Sequence, residues 1–99
     1  MILQDLQQDL IKYQKAKDSL RIDVIRFLMA GIKNKEIELR GQNIVLNDEH
    51  IVKVINKQIK QRNDSIESYK MGNREDLVQK ETKEKEILEE ILSKYNLNV

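Results

Sequence analysis

Not one proline interrupts these 99 residues, and only three glycines do. Tight turns draw heavily on those two residue types, so the chain is restricted to a few long elements with short connections. Its apolar residues recur at spacings of three and four, and no segment alternates long enough for a strand. The expected fold is therefore all-α: a small bundle of about four helices, two N-terminal helices packed on a long antiparallel helical hairpin. A chain of this length suits one domain with a modest core.

The first helix is expected over residues 2–16, with Leu3, Leu6, Leu10 and Tyr13 on one stripe. "KAKDS" breaks that stripe, and Asp18 or Ser19 suits the N-cap of a second helix. The second helix carries Leu20, Val24, Ile25, Phe27, Leu28, Ile32, Ile37 and Leu39, a wide apolar arc around Phe27 and Leu28 that predicts the most buried element. Gly41 is expected to end it. Asn47 is the expected cap of a third helix, with Asp48 and Glu49 favouring the positive end of its dipole. The third seam reads Val52, Ile55, Ile59, Arg62, Ile66, Tyr69. Gly72 is expected to supply a left-handed C-cap, after which Asn73 N-caps a fourth helix with Asp76 at N3. The fourth seam reads Leu77, Glu81, Glu84, Leu88, Ile91, Tyr95.

Charged residues make up 35% of the chain, yet its net charge is only +1. That balance gives no general attraction to nucleic acid or anionic lipid. It conceals an asymmetry: residues 12–40 hold eight Lys/Arg against four Asp/Glu, and residues 75–90 hold seven acids against three bases. The basic half suits phosphate, and equally suits charge complementarity between packed helices. Within it, Arg21, Arg26, Lys33 and Lys35 are the candidate RNA or partner contacts. The absence of cysteine excludes disulfides and thiolate metal sites. No apolar run reaches membrane-spanning length, so no membrane partner is expected. The N-terminus carries Asp5 and Asp9 before any base, unlike a signal or transit peptide. The expected location is cytoplasmic, a mature organellar matrix protein being the alternative.

Little in the chain suits catalysis. His50 is the only histidine, expected in the exposed first turn of a helix as a capping or surface residue. Ser19, Ser65, Ser68 and Ser93 lack an evident base, so nucleophilic catalysis has no support. No calcium-loop spacing and no glycine-rich phosphate loop occurs. No catalytic residue, metal or cofactor is assigned. Of the aromatics, Tyr13, Tyr69 and Tyr95 fall on predicted seams and Phe27 on the broad apolar arc, which favours core packing over base stacking.

Three charges fall where the helical period asks for apolar side chains: Arg62, Glu81 and Glu84. Counting outward from a corner at Asn73, Tyr69 lies level with Leu77, Ile66 near Glu81, and Arg62 near Glu84. An arginine of one helix should thus meet two acids of the other inside an apolar hairpin. That arrangement fixes register more than it adds stability, because desolvation offsets attraction.

The stretch "IKQRNDSIESYKMGNREDLVQKE" carries Lys60, Gln61, Arg62, Asp64, Ser65, Ile66, Tyr69, Gly72, Arg74, Asp76 and Leu77. In this pattern it resembles the YqeY family, whose domain also forms the C-terminal part of the B subunit of glutamyl/aspartyl-tRNA amidotransferases. "KAKDSLR", "VIRFLMAGIKNKEIEL" and "EILEEILSKY" agree more loosely. The structural motif carried over comprises Lys60, Arg62, Asp64, Ser65, Gly72, Arg74, Asp76, Glu81 and Glu84. The resemblance implies one YqeY-like N-terminal helical domain over 1–99, with the family's smaller C-terminal subdomain absent. Ser93 stands where the family usually has proline. It also implies a non-catalytic module beside tRNA, tRNA-dependent amidotransferase-type machinery or a ribosomal complex, under the family label of carbon–nitrogen ligase with glutamine as amide donor. The alternative is a purely protein-binding helical adaptor, meeting another protein where the missing subdomain would lie.

Overall fold

The computed structural model describes residues 2–95, so residues 1 and 96–99 of the expected domain lie outside the described part. Four helices follow in chain order: α1 (Ile2–Lys15), α2 (Ser19–Arg40), α3 (Asp48–Met71) and α4 (Glu75–Ser93). No strand occurs among the described residues, and no helix is long and apolar enough to cross a membrane. The architecture is an all-α bundle. The chain divides into two compact units, Met1–Val54 and Ile55–Val99, with the start of α3 in the first and its remainder in the second.

In the first unit α1 packs on α2. Ile2 and Leu6 of α1 are buried, as are Val24, Ile25, Leu28, Ile32 and Leu39 of α2 and Ile51 of α3. Each fully buried aliphatic side chain contributes roughly 1.5–3 kcal/mol, so this small set dominates the unit's stability. The buried stripe of α2 centres on Ile25, Leu28 and Ile32. Phe27 lies about 100° round the helix from Leu28 and is 55% exposed, and Ile37 is also exposed. The wide apolar arc expected around Phe27 is thus narrower than the sequence suggests. Hydrophobicity alone placed Phe27 inside, and the helical period places it outside.

The second unit holds the later part of α3 and α4, joined by a short corner as an antiparallel hairpin. Ile55, Gln58 and Ile66 of α3 are buried, with Val78, Glu84, Ile87, Leu88 and Ile91 of α4. Both predicted seams are displaced at their edges. Ile59, Tyr69, Leu77 and Tyr95 are only half-buried, while Gln58, Val78 and Ile87 take core places. In α3 the predicted Ile55 and Ile66 are buried, while Ile51 and Gln58 take the core places expected of Val52 and Ile59, and Gln58 is hidden from sequence reading by its polarity.

Three corners share one geometry. Lys17, Asn43 and Asn73 adopt left-handed φ values of 56°, 59° and 56°. After each, the next N–H returns to a carbonyl five residues back: Asp18 to Tyr13, Ile44 to Leu39, and Arg74 to Tyr69. This is the Schellman closure, which satisfies carbonyls that a helix end would otherwise leave orphaned. No glycine has positive φ, so the expected left-handed role of Gly72 is corrected: Asn73 performs it. Asparagine is among the few residues enriched in that conformation. Having turned the corner, Asn73 cannot also cap α4. The N-cap is Arg74, which makes no side-chain capping bond, and Asp76 falls at N2. Lys17 lacks asparagine's tolerance, and its conformation costs on the order of 1 kcal/mol.

Candidate nucleic-acid interface

The cations of α2 are sorted by what stands beside them. Asp18 caps the helix by accepting from the Arg21 N–H at 3.2 Å, and the same carboxylate pairs with the Arg21 guanidinium at 3.2 Å. Arg21 also lies 5.4 Å from the centroid of the Tyr13 ring. Lys35 pairs with Glu38 at 3.3 Å, and Arg40 with Glu36 at 3.5 Å. Arg26 and Lys33 are exposed and have no carboxylate partner among the described residues. They are seven residues apart, two turns along one face. Of the four candidate contacts, the structure leaves these two turned to solvent and ties the other two to acids.

On one side of this row runs a groove of about 350 Å³ lined by Leu3, Gln7, Met29, Ala30, Ile32, Lys33 and Glu36. Phe27 lies on the other side. Sequence reasoning assigned that ring to the core, and the signal that it belongs outside is its displacement from the Ile25–Leu28–Ile32 stripe.

The motif residues of the second unit form a different kind of site. Arg62 Nη1 donates to Glu81 Oε2 at 3.1 Å and also to Glu84 Oε2. The three side chains are between 9% and 16% exposed, so the guanidinium is held away from ligands. Lys80 approaches Glu84 from solvent at 3.9 Å. The hairpin register read from the sequence is the one observed. Lys60, Asp64 and Gly72 are exposed and Ser65 half-buried, and none of them joins this cluster. At the corner, Arg74 donates through Nε and Nη2 to the two oxygens of Asp76, each at 3.3 Å. That hydrogen bond is the main reason the Asp76 carboxyl lies below its ordinary pKa and the Arg74 guanidinium above its own. The pair is fully exposed.

A third polar cluster starts α3. Asn47 Oδ1 accepts from the His50 N–H at 3.1 Å, and His50 Nδ1 accepts from the Asn47 N–H at 3.0 Å. Histidine thus takes the reciprocal place that glutamate or glutamine usually fills in a capping box. Asp48 Oδ1 accepts from the Ile2 N–H at 3.2 Å and caps α1. No group of three or more His, Cys, Asp or Glu side chains suited to a metal ion occurs among the described residues.

Comparison with known proteins follows the same residues. The model of the YqeY-like protein family matches residues 3–95. The protein "altered inheritance of mitochondria protein 41, mitochondrial" of Lachancea thermotolerans is 44% identical over 88 residues, covering 89% of this chain and 46% of the relative. Its counterpart in Kluyveromyces lactis is 46% identical over 85 residues, covering 85% of this chain and 44% of the relative. A Saccharomyces cerevisiae counterpart is 39% identical over 88 residues, with 88% and 46% covered. The chain therefore spans less than half the length of these relatives, while the family match runs through all four helices. The chain belongs to the YqeY-like family.

Proposed function

We propose that this chain is a non-catalytic RNA-associated module, with tRNA or a tRNA-handling complex as its partner. The observation that carries this reading is the pair Arg26 and Lys33, exposed on one face of α2 and in no ion pair with a carboxylate among the described residues. Lys15 and Lys17 add exposed positive charge at the α1–α2 corner. The cations of α4 stand among seven acids instead, and Lys80 is committed to Glu84. Field, not total charge, selects the first unit. The mitochondrial names of the relatives support a mitochondrial location in place of the cytoplasmic one expected from the N-terminus.

The test is a native-gel shift with total tRNA at two salt concentrations. Phosphate contacts release counterions, so binding weakens steeply as salt rises. Charge reversal by Arg26→Glu with Lys33→Glu should greatly weaken the shift, and Lys83→Glu with Lys85→Glu should leave most of it. Equal losses from both pairs would remove the assignment. A second reading, a protein-binding adaptor, draws support from the exposed Ile37, Val45 and Met71. It calls for no salt-sensitive shift at all.

A further inference from the structure

The groove between α1 and α2 is graded from an apolar floor to a charged rim. At about 100° per residue, the order round α2 from inside to outside is Ile32, then Glu36 and Met29, then Lys33. Burial follows the same order: Ile32 is buried, Glu36 and Met29 are half-buried, and Lys33 is exposed. Half-buried Leu3 and exposed Gln7, one turn apart on α1, line the facing wall. The groove measures about 350 Å³, toward the lower end of the roughly 300–1,000 Å³ usual for small-molecule sites. Its polar groups stand at the edges: an amide, a carboxylate and an ammonium. Arg40 pairs with Oε1 of Glu36 at 3.5 Å, which leaves Oε2 to accept from a ligand.

We propose that this groove holds one extruded base of an unpaired RNA strand, which deepens the RNA reading and rests on it. Charge and edge chemistry select the occupant. Lys33 on the rim and Arg26, about 10 Å away along the helix axis, have no carboxylate partner among the described residues. They suit the phosphates on either side of the base. An acyl tail would cover the floor and leave Gln7 and Glu36 unmatched, whereas a base joins apolar faces to a hydrogen-bonding edge. Its faces lie against Leu3, Ile32 and the Met29 thioether, a favourable neighbour for an aromatic ring. Gln7, both donor and acceptor, and Glu36, an acceptor only, meet the edge. That asymmetry gives the site a preference. Cytosine offers an amino group to Glu36, whereas the one edge N–H of uracil lies between two carbonyls that repel a carboxylate. A duplex keeps its bases stacked and paired, so it meets the rim cations alone.

Met29 is one of three methionines in the chain, and its methyl group reports on the groove by NMR. Met71, 86% exposed in the other unit, is the control. The probes are oligocytidylate, oligouridylate and an RNA duplex of mixed sequence. Oligocytidylate should move the Met29 methyl upfield and saturably, through the ring current of the base, with Met71 unmoved. Oligouridylate should bind about tenfold more weakly, as the loss of one hydrogen bond to a charged acceptor implies. Glu36→Gln should level the two, because an amide serves either edge. The duplex should leave the Met29 methyl in place at concentrations that saturate the single strand. Gln7→Phe, which lays a ring over the floor from an exposed position, should abolish the RNA-dependent shift while circular dichroism stays unchanged. Equal affinities for the two homopolymers would overturn the edge assignment. If tRNA still shifts the protein in a gel but no strand moves the Met29 methyl, the groove is wrong and the RNA reading stands. If no RNA binds the chain, the RNA reading fails and the site with it. A Met29 shift that follows protein concentration without RNA assigns the groove to a second copy. One produced by an acidic peptide and by no RNA assigns it to a protein, and either result overturns the proposal.

Discussion

Arg62 and Arg26 have the same side chain and opposite situations. Arg62 is largely buried and donates to two carboxylates of α4. Arg26 stands in solvent and pairs with no acid among the described residues. The sequence around each is similarly charged, so local composition does not separate them. The carboxylates that fold against the side chain do. Arg62 is committed to holding two helices in register, while Arg26 remains available to something outside the chain. Arg74 falls between them, paired with Asp76 yet fully exposed.

The largest expected effect breaks the first member of this comparison. Arg62→Met leaves Glu81 and Glu84 without their buried guanidinium, with only Lys80 reaching Glu84 from solvent, and the loss should be about 1–3 kcal/mol, the range for an unsatisfied partly buried charge. Denaturant unfolding measures it, and a double-mutant cycle with Glu84→Leu, repeated with Glu81→Leu, isolates the coupling. Coupling within about 0.3 kcal/mol in both cycles would mean independent sites and no register lock. RNA affinity should not change in Arg62→Met molecules that remain folded.

Reversing Arg26 and Lys33 sharpens the other member. Stability should move by no more than about 0.5 kcal/mol, as for surface substitutions generally, while tRNA affinity falls about tenfold or more and its salt slope flattens by roughly one to two units. A stability loss comparable to that of Arg62→Met would show that the two arginines do the same work.

The α3–α4 corner offers a smaller contrast between neighbours. Gly72→Ala should be neutral or stabilise by about 0.4–1 kcal/mol, because the residue has no positive φ and the new Cβ would meet Ser68 O at an ordinary 3.6 Å. Asn73→Ala should destabilise by roughly 1 kcal/mol, because a Cβ-bearing residue with no compensating amide must then hold the left-handed conformation. Thermal unfolding of the two variants should therefore move in opposite senses, or only for Asn73. A loss confined to Gly72→Ala would restore the glycine cap.

The smallest effect tests the exposed pair. The Asp76 carboxyl titrates lower in the folded chain than in the unfolded one, so its contribution is present above the unfolded pKa and disappears as pH falls through the folded one. Asp76→Asn should cost slightly at neutral pH and nothing once the pH has fallen below the lowered pKa of the folded carboxyl, where both chains carry a neutral group. A difference that persists in acid would point to the helix cap and not to the charge.

Much of this molecule was legible because helical period and corner spacing are written locally. The register that brings Arg62 to Glu81 and Glu84 follows from counting away from one short corner. Two of the readings that the fold corrects fail for different physical reasons. Phe27 was placed by hydrophobicity, although its angle round α2 puts it away from Ile25, Leu28 and Ile32. Gly72 was placed by conformational propensity, although the closing hydrogen bonds of the helix put the left-handed residue one position later. The candidate interface was half visible. The sequence shows which residues are cations, and only the fold shows that Arg21 and Lys35 stand against acids while Arg26 and Lys33 do not.

The start of α3 has a consequence for the other end of its unit. Asp48 supplies the acceptor for the first amide of α1, 46 residues away in the chain, beside the reciprocal bonds that Asn47 and His50 make. A helix end ordinarily frays alone, and its amides exchange with solvent deuterium long before the interior opens. The Ile2 amide is not free to do so: exposing it breaks a long-range bond as well as a turn. Its exchange then reports on whether the beginning of α3 is in place, which makes one terminal amide a gauge of the cooperativity of the whole first unit.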